Sequence, residues 1–283
     1  MATLTEIKEE LQFNVELIDL LDVMKNIAVF QFRALKGKKE RFARFLMLLK
    51  DFYRRVDLSL APSLLTNPKA EKLAIVAVTS DEGFMGGLNL QVIEAAFKQP
   101  GAEDAEFIVV GERGAMYLRE LDRKFTLFTG NTDAEERYKL ALRLKDFIIM
   151  GIKSERFGKV IISYPNPVSF MVQRVDIVKI LPVSSILDER EKVEYAEPII
   201  MESSLEAVIE YLVEQSILQK LLGILEDGKL SEFAARAIHL EKGGQDLSEN
   251  EKKIRFKYFR AYHMLIDKNI RELFSAQVMR GKG

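Results

Sequence analysis

The sequence predicts an α/β protein in which long N- and C-terminal helices pair as an antiparallel coiled coil around a central α/β domain. Three observations predict it. An apolar four-three repeat runs through the first sixty residues, short β-branched runs alternate with helical stretches from Leu73 to Pro182, and helical patterning returns from Ser203 onward. The chain of 283 residues divides accordingly into an N-terminal helix over 1–62, an α/β domain over 70–195 and a C-terminal helix over 203–283.

The N-terminal helix is predicted by what it lacks as much as by what it holds. Gly37 is its one glycine, no proline precedes Pro62, and Leu, Lys, Glu and Arg dominate. The apolar spacing runs through Leu4, Ile7, Leu11, Asn14, Ile18, Leu21, Lys25, Ala28, Phe32, Leu35, Lys39, Phe42, Leu46, Leu49, Tyr53 and Val56. Thirteen of these sixteen positions are apolar, and a period held over eight heptads marks a coiled-coil seam. At about 1.5 Å per residue this helix is on the order of 80 Å long. Beside the seam lies a second apolar row, Phe13, Leu17, Leu20, Met24 and Ile27, which widens the face to be covered.

From Leu73 the period changes to that of strands. The runs LAIVAVTS, FIVV over 107–110 and VIISY from Val160 are β-branched, and helical stretches separate them. The first run ends in the turn Ser80-Asp81-Glu82-Gly83-Phe84-Met85-Gly86-Gly87-Leu88-Asn89 and the second in Gly111-Glu112-Arg113-Gly114, each ahead of a helix. Strand, glycine turn and helix in that order give a partly parallel, Rossmann-like sheet. A late strand or hairpin between Tyr164 and Pro182 closes the domain.

In the C-terminal helix, Leu205, Val208, Leu212 and the dense face Ile217–Leu225 come first, and Phe259, Tyr262, Ile266, Leu273 and Ala276 resume four-three spacing. Two seams in one chain bury each other most easily as an antiparallel pair. Gly243-Gly244 conflicts with a continuous helix, since each glycine costs roughly 1 kcal/mol against alanine, and leaves open whether the helix breaks there. Ser248 and Glu251 have the capping-box spacing for a fresh start.

Composition narrows the chemistry. There is no cysteine, so disulfides, thiolate metal sites and cysteine nucleophiles are excluded, and no run approaches the roughly 18 apolar residues of a membrane span. The net charge of -1 conceals two basic stretches, nine Lys or Arg in 33–55 and nine from Asn250 onward, which suit acidic partners. Aromatics near the first stretch fall on the apolar face, which disfavours nucleic acid. No GxxxxGK[ST] occurs, and the turn at Gly83, Gly86 and Gly87 is not GxGxxG and carries Asp81 and Glu82, which repel phosphate. His239 and His263 lie in the helical C-terminal region and assemble no ligand set, so no metal, cofactor or catalytic set is expected.

Four segments in order then resemble one family. The opening Met1-Ala2-Thr3-Leu4-Thr5-Glu6-Ile7-Lys8, the turn Ser80–Asn89, the segment Tyr164-Pro165-Asn166-Pro167-Val168-Ser169 with Gln173, and Ser231-Glu232-Phe233-Ala234-Ala235-Arg236 are similar to the signatures of bacterial gamma subunits of F-type ATP synthase. The SDxGxxGGLN turn, Ser80, Asp81, Gly83, Gly86, Gly87 and Asn89 here, is the most specific of them. Departures lie in both helices. Met24 stands where the family has its coupling methionine, with Lys25 beside it. The family's polar C-terminal positions hold Tyr262, His263, Asp267 and Asn269 here, near Arg260.

The resemblance implies a rotor shaft without an active site. Its partners would be the alpha and beta subunits of a catalytic ring, an epsilon-type subunit and a membrane rotor c-ring, with no nucleic acid and no direct membrane insertion. It would lie peripherally at the cytoplasmic face of the inner membrane. Partner contacts are expected at Met24, Lys25, Arg236, Arg260, Tyr262, His263, Asp267 and Asn269. Two alternatives stay open: a dinucleotide- or small-ligand-binding enzyme with helical dimerisation arms, and a non-rotary scaffold derived from gamma.

Overall fold

The structure is a computed structural model that describes residues 3–55, 68–130, 133–181 and 205–280. Side chains of the first helix are described through Gly37. The seam positions Lys39, Phe42, Leu46, Leu49, Tyr53 and Val56, and the boundaries set at 62 and at 195 to 203, therefore lie outside the described residues. The elements are α1 (Leu4–Arg55), β1 (Leu73–Val78), α2 (Leu88–Phe97), β2 (Glu106–Val110), α3 (Glu112–Glu120), β3 (Phe125–Phe128), α4 (Ala134–Lys153), β4 (Lys159–Pro167), β5 (Gln173–Leu181) and α5 (Leu205–Arg280). The chain forms two compact units, Ala28–Arg236 and the pair Met1–Ile27 with Ala237–Gly283.

In the larger unit the five strands lie in the order β3-β2-β1-β4-β5. The first four pair in parallel and β5 returns antiparallel on β4, which is the closing hairpin that the prolines and alternating apolars of 164–182 predict. Strand alternation sends Ala74, Val76, Val78, Ile108, Val110 and Ile162 to a face covered by α4 and by Val213–Leu225 of α5. Ile75, Ala77, Phe107, Val109 and Ile161 face α2 and α3 on the other side. A sheet covered on both faces explains why its strands read as unbroken apolar runs. Residues 74 to 77 of β1 are wholly buried.

Two glycines following β2, at the start of α3, leave no room for a side chain. Gly111 has φ +95, and a Cβ there would come within 2.7 Å of the Ser80 carbonyl. A Cβ on Gly114 would lie 2.4 Å from Thr79 Oγ1. The close approach lets Gly114 N donate to Thr79 Oγ1 at 3.0 Å, while Thr79 Oγ1 donates to Val110 O at 2.6 Å. The ends of β1 and β2 are thereby joined side chain to backbone.

In the smaller unit α1 and α5 run antiparallel: Asn14 bonds to Leu247, and Lys25 pairs with Glu241. Along α1 the expected seam and the burial coincide. Ile7, Asn14, Ala28, Phe32 and Leu35 are the buried residues of the described part of α1, and all are seam positions. The second row lies outside that seam, with Phe13, Leu20 and Ile27 at 66%, 54% and 52% exposure. Thr3 and Glu6 close a reciprocal capping box on the first turn, at 2.8 and 3.3 Å, a signal present in the sequence and not read above.

Two expectations for α5 need correcting. The helix does not break at Gly243-Gly244, and Ser248 and Glu251 lie within it rather than starting a new one. A Cβ on Gly243 would make an ordinary contact with Leu21 Cδ1 at 3.5 Å, and one on Gly244 would meet nothing within 4 Å. The row Phe259, Tyr262 and Leu273 is not a seam either, being 52%, 42% and 70% exposed. Among the described side chains of α5, Ile254, 1% exposed, is the last buried one.

Candidate functional site

The glycine turn after β1 is stitched closed by its own side chains. Ser80 N donates to Asn89 Oδ1 at 3.2 Å, Asn89 Nδ2 returns a bond to Ser80 Oγ at 2.9 Å, and Ser80 Oγ donates to Glu82 O at 2.8 Å. Asp81 Oδ1 accepts from Glu112 N at 3.1 Å, placing a carboxylate at the N-terminus of α3 where the helix dipole favours it. Phe84 and Gly86 both take positive φ, at 65 and 59, which turns the chain sharply before Gly87 starts α2. The amides that an anion would seek are thus partly occupied by the protein itself.

Onto this turn comes Arg236, 153 residues away in sequence. Its Nε donates to Gly83 O at 3.3 Å, and its Nη2 pairs with Glu82 Oε2 at 2.8 Å and Glu232 Oε1 at 2.7 Å. Lys229 Nζ shares the same Glu232 oxygen at 2.9 Å and stands 5.2 Å from the Phe233 ring. Lys229, Glu232 and Arg236 are all buried, and a buried carboxylate with two cations is held only because each charge has partners. Below them Ser231 Oγ donates to Pro165 O at 2.9 Å, and Ala235 packs with Met85 and Leu88. The two most specific sequence signatures therefore form one junction between α5 and the end of the sheet. Arg236, expected as a partner contact, has its guanidinium engaged within the chain.

The third signature organises the β4–β5 hairpin. Gln173 Nε2 donates to Ser169 O and Phe170 O at 3.4 and 2.9 Å, and Asn166 Nδ2 donates to Asp176 Oδ2 at 2.6 Å. Arg174 beside Asp176 holds its carboxyl below the usual range. Phe170 then meets Phe32 of α1 edge to face, with ring centroids 5.0 Å apart.

In the helix pair, Met24 is half-buried and Lys25 Nζ bridges Asp22 at 2.6 Å and Glu241 at 2.8 Å. Hydrogen bonds from Lys25 lower both the Asp22 and the Glu241 carboxyls, and their acceptance raises Lys25. Toward the end of α5, Arg260, Tyr262, His263, Asp267 and Asn269 are all exposed. Tyr258 and Tyr262 stack with centroids 6.2 Å apart. Around them Phe256, Met264, Ile270, Leu273 and Phe274 expose 71%, 57%, 47%, 70% and 66% of their surface. Together they make an exposed apolar surface larger than scattered single residues would give. The apolar residues were visible in sequence, but their exposure was not, since periodicity does not say which face a neighbour covers.

Among the described residues no His, Cys, Asp and Glu side chains group as a metal ligand set, and no helix is long and apolar enough to cross a membrane. The family model described as ATP synthase matches residues 3–277. A relative from Geotalea daltonii named ATP synthase gamma chain is 26% identical and spans 99% of this chain and 100% of its own. Among solved structures, the rotor of the Euglena gracilis mitochondrial ATP synthase in rotational state 1 superposes with TM-score 0.65 at 16% identity, over 93% of this chain and 98% of that one. The Tetrahymena thermophila mitochondrial central stalk and c-ring structure gives TM-score 0.60 at 18% identity, over 79% and 99%.

Proposed function

The chain belongs to the ATP synthase family as a gamma chain, the central rotor stalk of the F-type enzyme, and from that premise we propose that it couples ion flow through a membrane rotor ring to nucleotide chemistry in a catalytic ring, catalysing nothing itself. The observation that carries this reading is the end of α5. A helix end that exposes Phe256, Met264, Leu273 and Phe274 is built to be sleeved. Alpha and beta subunits of a catalytic ring are the sleeve, with Met24, Arg260, Tyr262, His263, Asp267 and Asn269 at the contacts. The α/β domain meets an epsilon-type subunit and the c-ring at the cytoplasmic face of the membrane.

Physically, an asymmetric shaft works by offering each of several equivalent sites a different surface in turn. Site affinities then differ, and only differences in interaction between states can shift an equilibrium. Contacts remade at every step have to be individually weak, about 1 kcal/mol or less for exposed ion pairs. The alternative of a nucleotide-binding enzyme is disfavoured by the glycine turn, whose acidic groups are committed to Glu112 N and Arg236.

Native purification with mass spectrometry tests the assignment. Larger nucleotide-binding chains and a small companion subunit are expected to co-purify. Recovery of a self-associated chain carrying bound nucleotide would overturn it. Coupling is tested by Lys25→Glu in a reconstituted complex: hydrolysis and ion pumping should fall out of proportion while assembly persists. Proportionate activities, or failed assembly, place Lys25 in the seam alone.

A further inference from the structure

Between Leu4 and Leu35 the α1 seam carries two polar residues, Asn14 and Lys25, and each meets a polar partner on α5. Asn14 is 5% exposed, a burial that an amide tolerates only when hydrogen-bonded. Its Nδ2 donates to the Leu247 carbonyl at 2.9 Å, and its Oδ1 accepts from Asn250 Nδ2 at 3.5 Å. Eleven residues along, Lys25 Nζ pairs with Glu241 Oε2 at 2.8 Å. The intervening approach is between Leu21 and Gly243, where α5 has no side chain to block it.

We propose that Asn14 and Lys25 are register-setting residues that fix the axial position of α5 on α1. An apolar four-three seam repeats every heptad, so by itself it packs almost as well when one helix slips by seven residues. Polar residues at seam positions remove that freedom, at some cost in stability. A slip by seven residues in one direction puts Asn14 beside Ile254 and Lys257 and Lys25 beside Ser248. In the other direction Asn14 faces Leu240 and Gly243. Either slip buries the Asn14 amide without its Asn250 partner and separates Lys25 from Glu241, whereas the observed register satisfies both. Two matched polar positions specify one register where either alone would leave others open. The device acts within the helix pair and does not depend on the proposed coupling role. In a shaft under load it would keep the pair from sliding.

The cysteine-free sequence allows a direct test on the full chain. Spin labels are attached through Asp19→Cys and Lys257→Cys, exposed positions well offset along the helix pair. The wild-type background should give one narrow distance distribution. Asn14→Val with Lys25→Leu should add a second population shifted by about 10 Å, the axial length of a heptad, with helix content unchanged. A charge swap, Lys25→Glu with Glu241→Lys, should restore the single population that Lys25→Glu alone broadens. Should the double apolar variant keep one narrow peak at the wild-type distance, or the swap fail to narrow what Lys25→Glu broadens, the proposal is overturned.

Discussion

The sheet and the helix pair solve burial in opposite ways. In the sheet the inner strands β1, β2 and β4 are covered on both faces, residues 74 to 77 have no exposed surface, and Phe157 is wholly enclosed. In the helix pair a narrow seam is closed by Ile7, Asn14 and Ile254, while Phe13, Leu20, Val23, Phe256 and Leu273 each expose more than half of their surface. The first arrangement is complete without any other molecule. The second buries only what one helix can cover and leaves the rest for partners. Stability and function are thereby separated along the chain: changes to the sheet should damage folding, and changes to the helix pair should damage assembly.

The largest effects are expected where burial is complete. Phe157→Ala empties a site against Gly151, where even a Cβ would overlap the Phe157 ring, and should cost about 3–5 kcal/mol. Glu232→Ala leaves buried Lys229 without its carboxylate and Arg236 with only the exposed Glu82, and should cost a similar amount, about 3–5 kcal/mol. Hydrogen exchange at the β1 amides reads both. A loss below about 1.5 kcal/mol at either site would mean that the sheet and its junction with α5 yield more than their burial implies. Glu82→Gln, by contrast, touches an exposed partner of Arg236 and should cost no more than about 1 kcal/mol.

These sites differ in how far the sequence announced them. The α1 seam was legible through Leu35 because one period governs both sequence and burial, and even its polar positions found the partners that buried polar groups require. The parallel sheet was legible for the same reason. Whether the helix breaks at Gly243-Gly244 could not be read from propensity, which speaks for an isolated helix; the helix runs through both. The C-terminal row Phe259, Tyr262 and Leu273 has seam spacing without a seam, since periodicity cannot tell which face a neighbour covers or where that neighbour ends. The meeting of Arg236 with Glu82 and Gly83 spans 153 residues, a distance at which spacing carries no information.

A smaller effect is expected from pH, confined to the helix pair. Lys25 lowers the Asp22 and Glu241 carboxyls through hydrogen bonds, so their contribution is present above the ordinary carboxylate range and is lost as pH falls through the lowered values. Lys25 itself is raised, so its contribution is complete below the ordinary lysine value and lost as pH climbs past the raised one. The contact should thus hold between roughly pH 5 and 10 and loosen in acid below about 4 and in strong base. The spin-label distances between Asp19→Cys and Lys257→Cys follow it. Loosening near neutrality would show that groups other than this trio control the pair.

The smallest stability effect should accompany a large assembly effect, and it separates the two regions most sharply. Phe13 and Leu273 expose 66% and 70% of their surface, so in the free chain their truncation removes little buried area. Phe13→Ala and Leu273→Ala should each change thermal stability of the isolated chain by no more than about 0.5 kcal/mol, as surface substitutions do. If a partner covers them, the same truncations remove apolar area from an interface, and the affinity for the catalytic ring should fall by roughly tenfold or more per residue, equivalent to about 1.4 kcal/mol. Titrating the variants against a preformed ring measures that ratio directly. Loss of stability without loss of affinity would show that these side chains serve the fold of the free chain. Loss of affinity at constant stability is the outcome expected of a surface kept apolar for an absent neighbour.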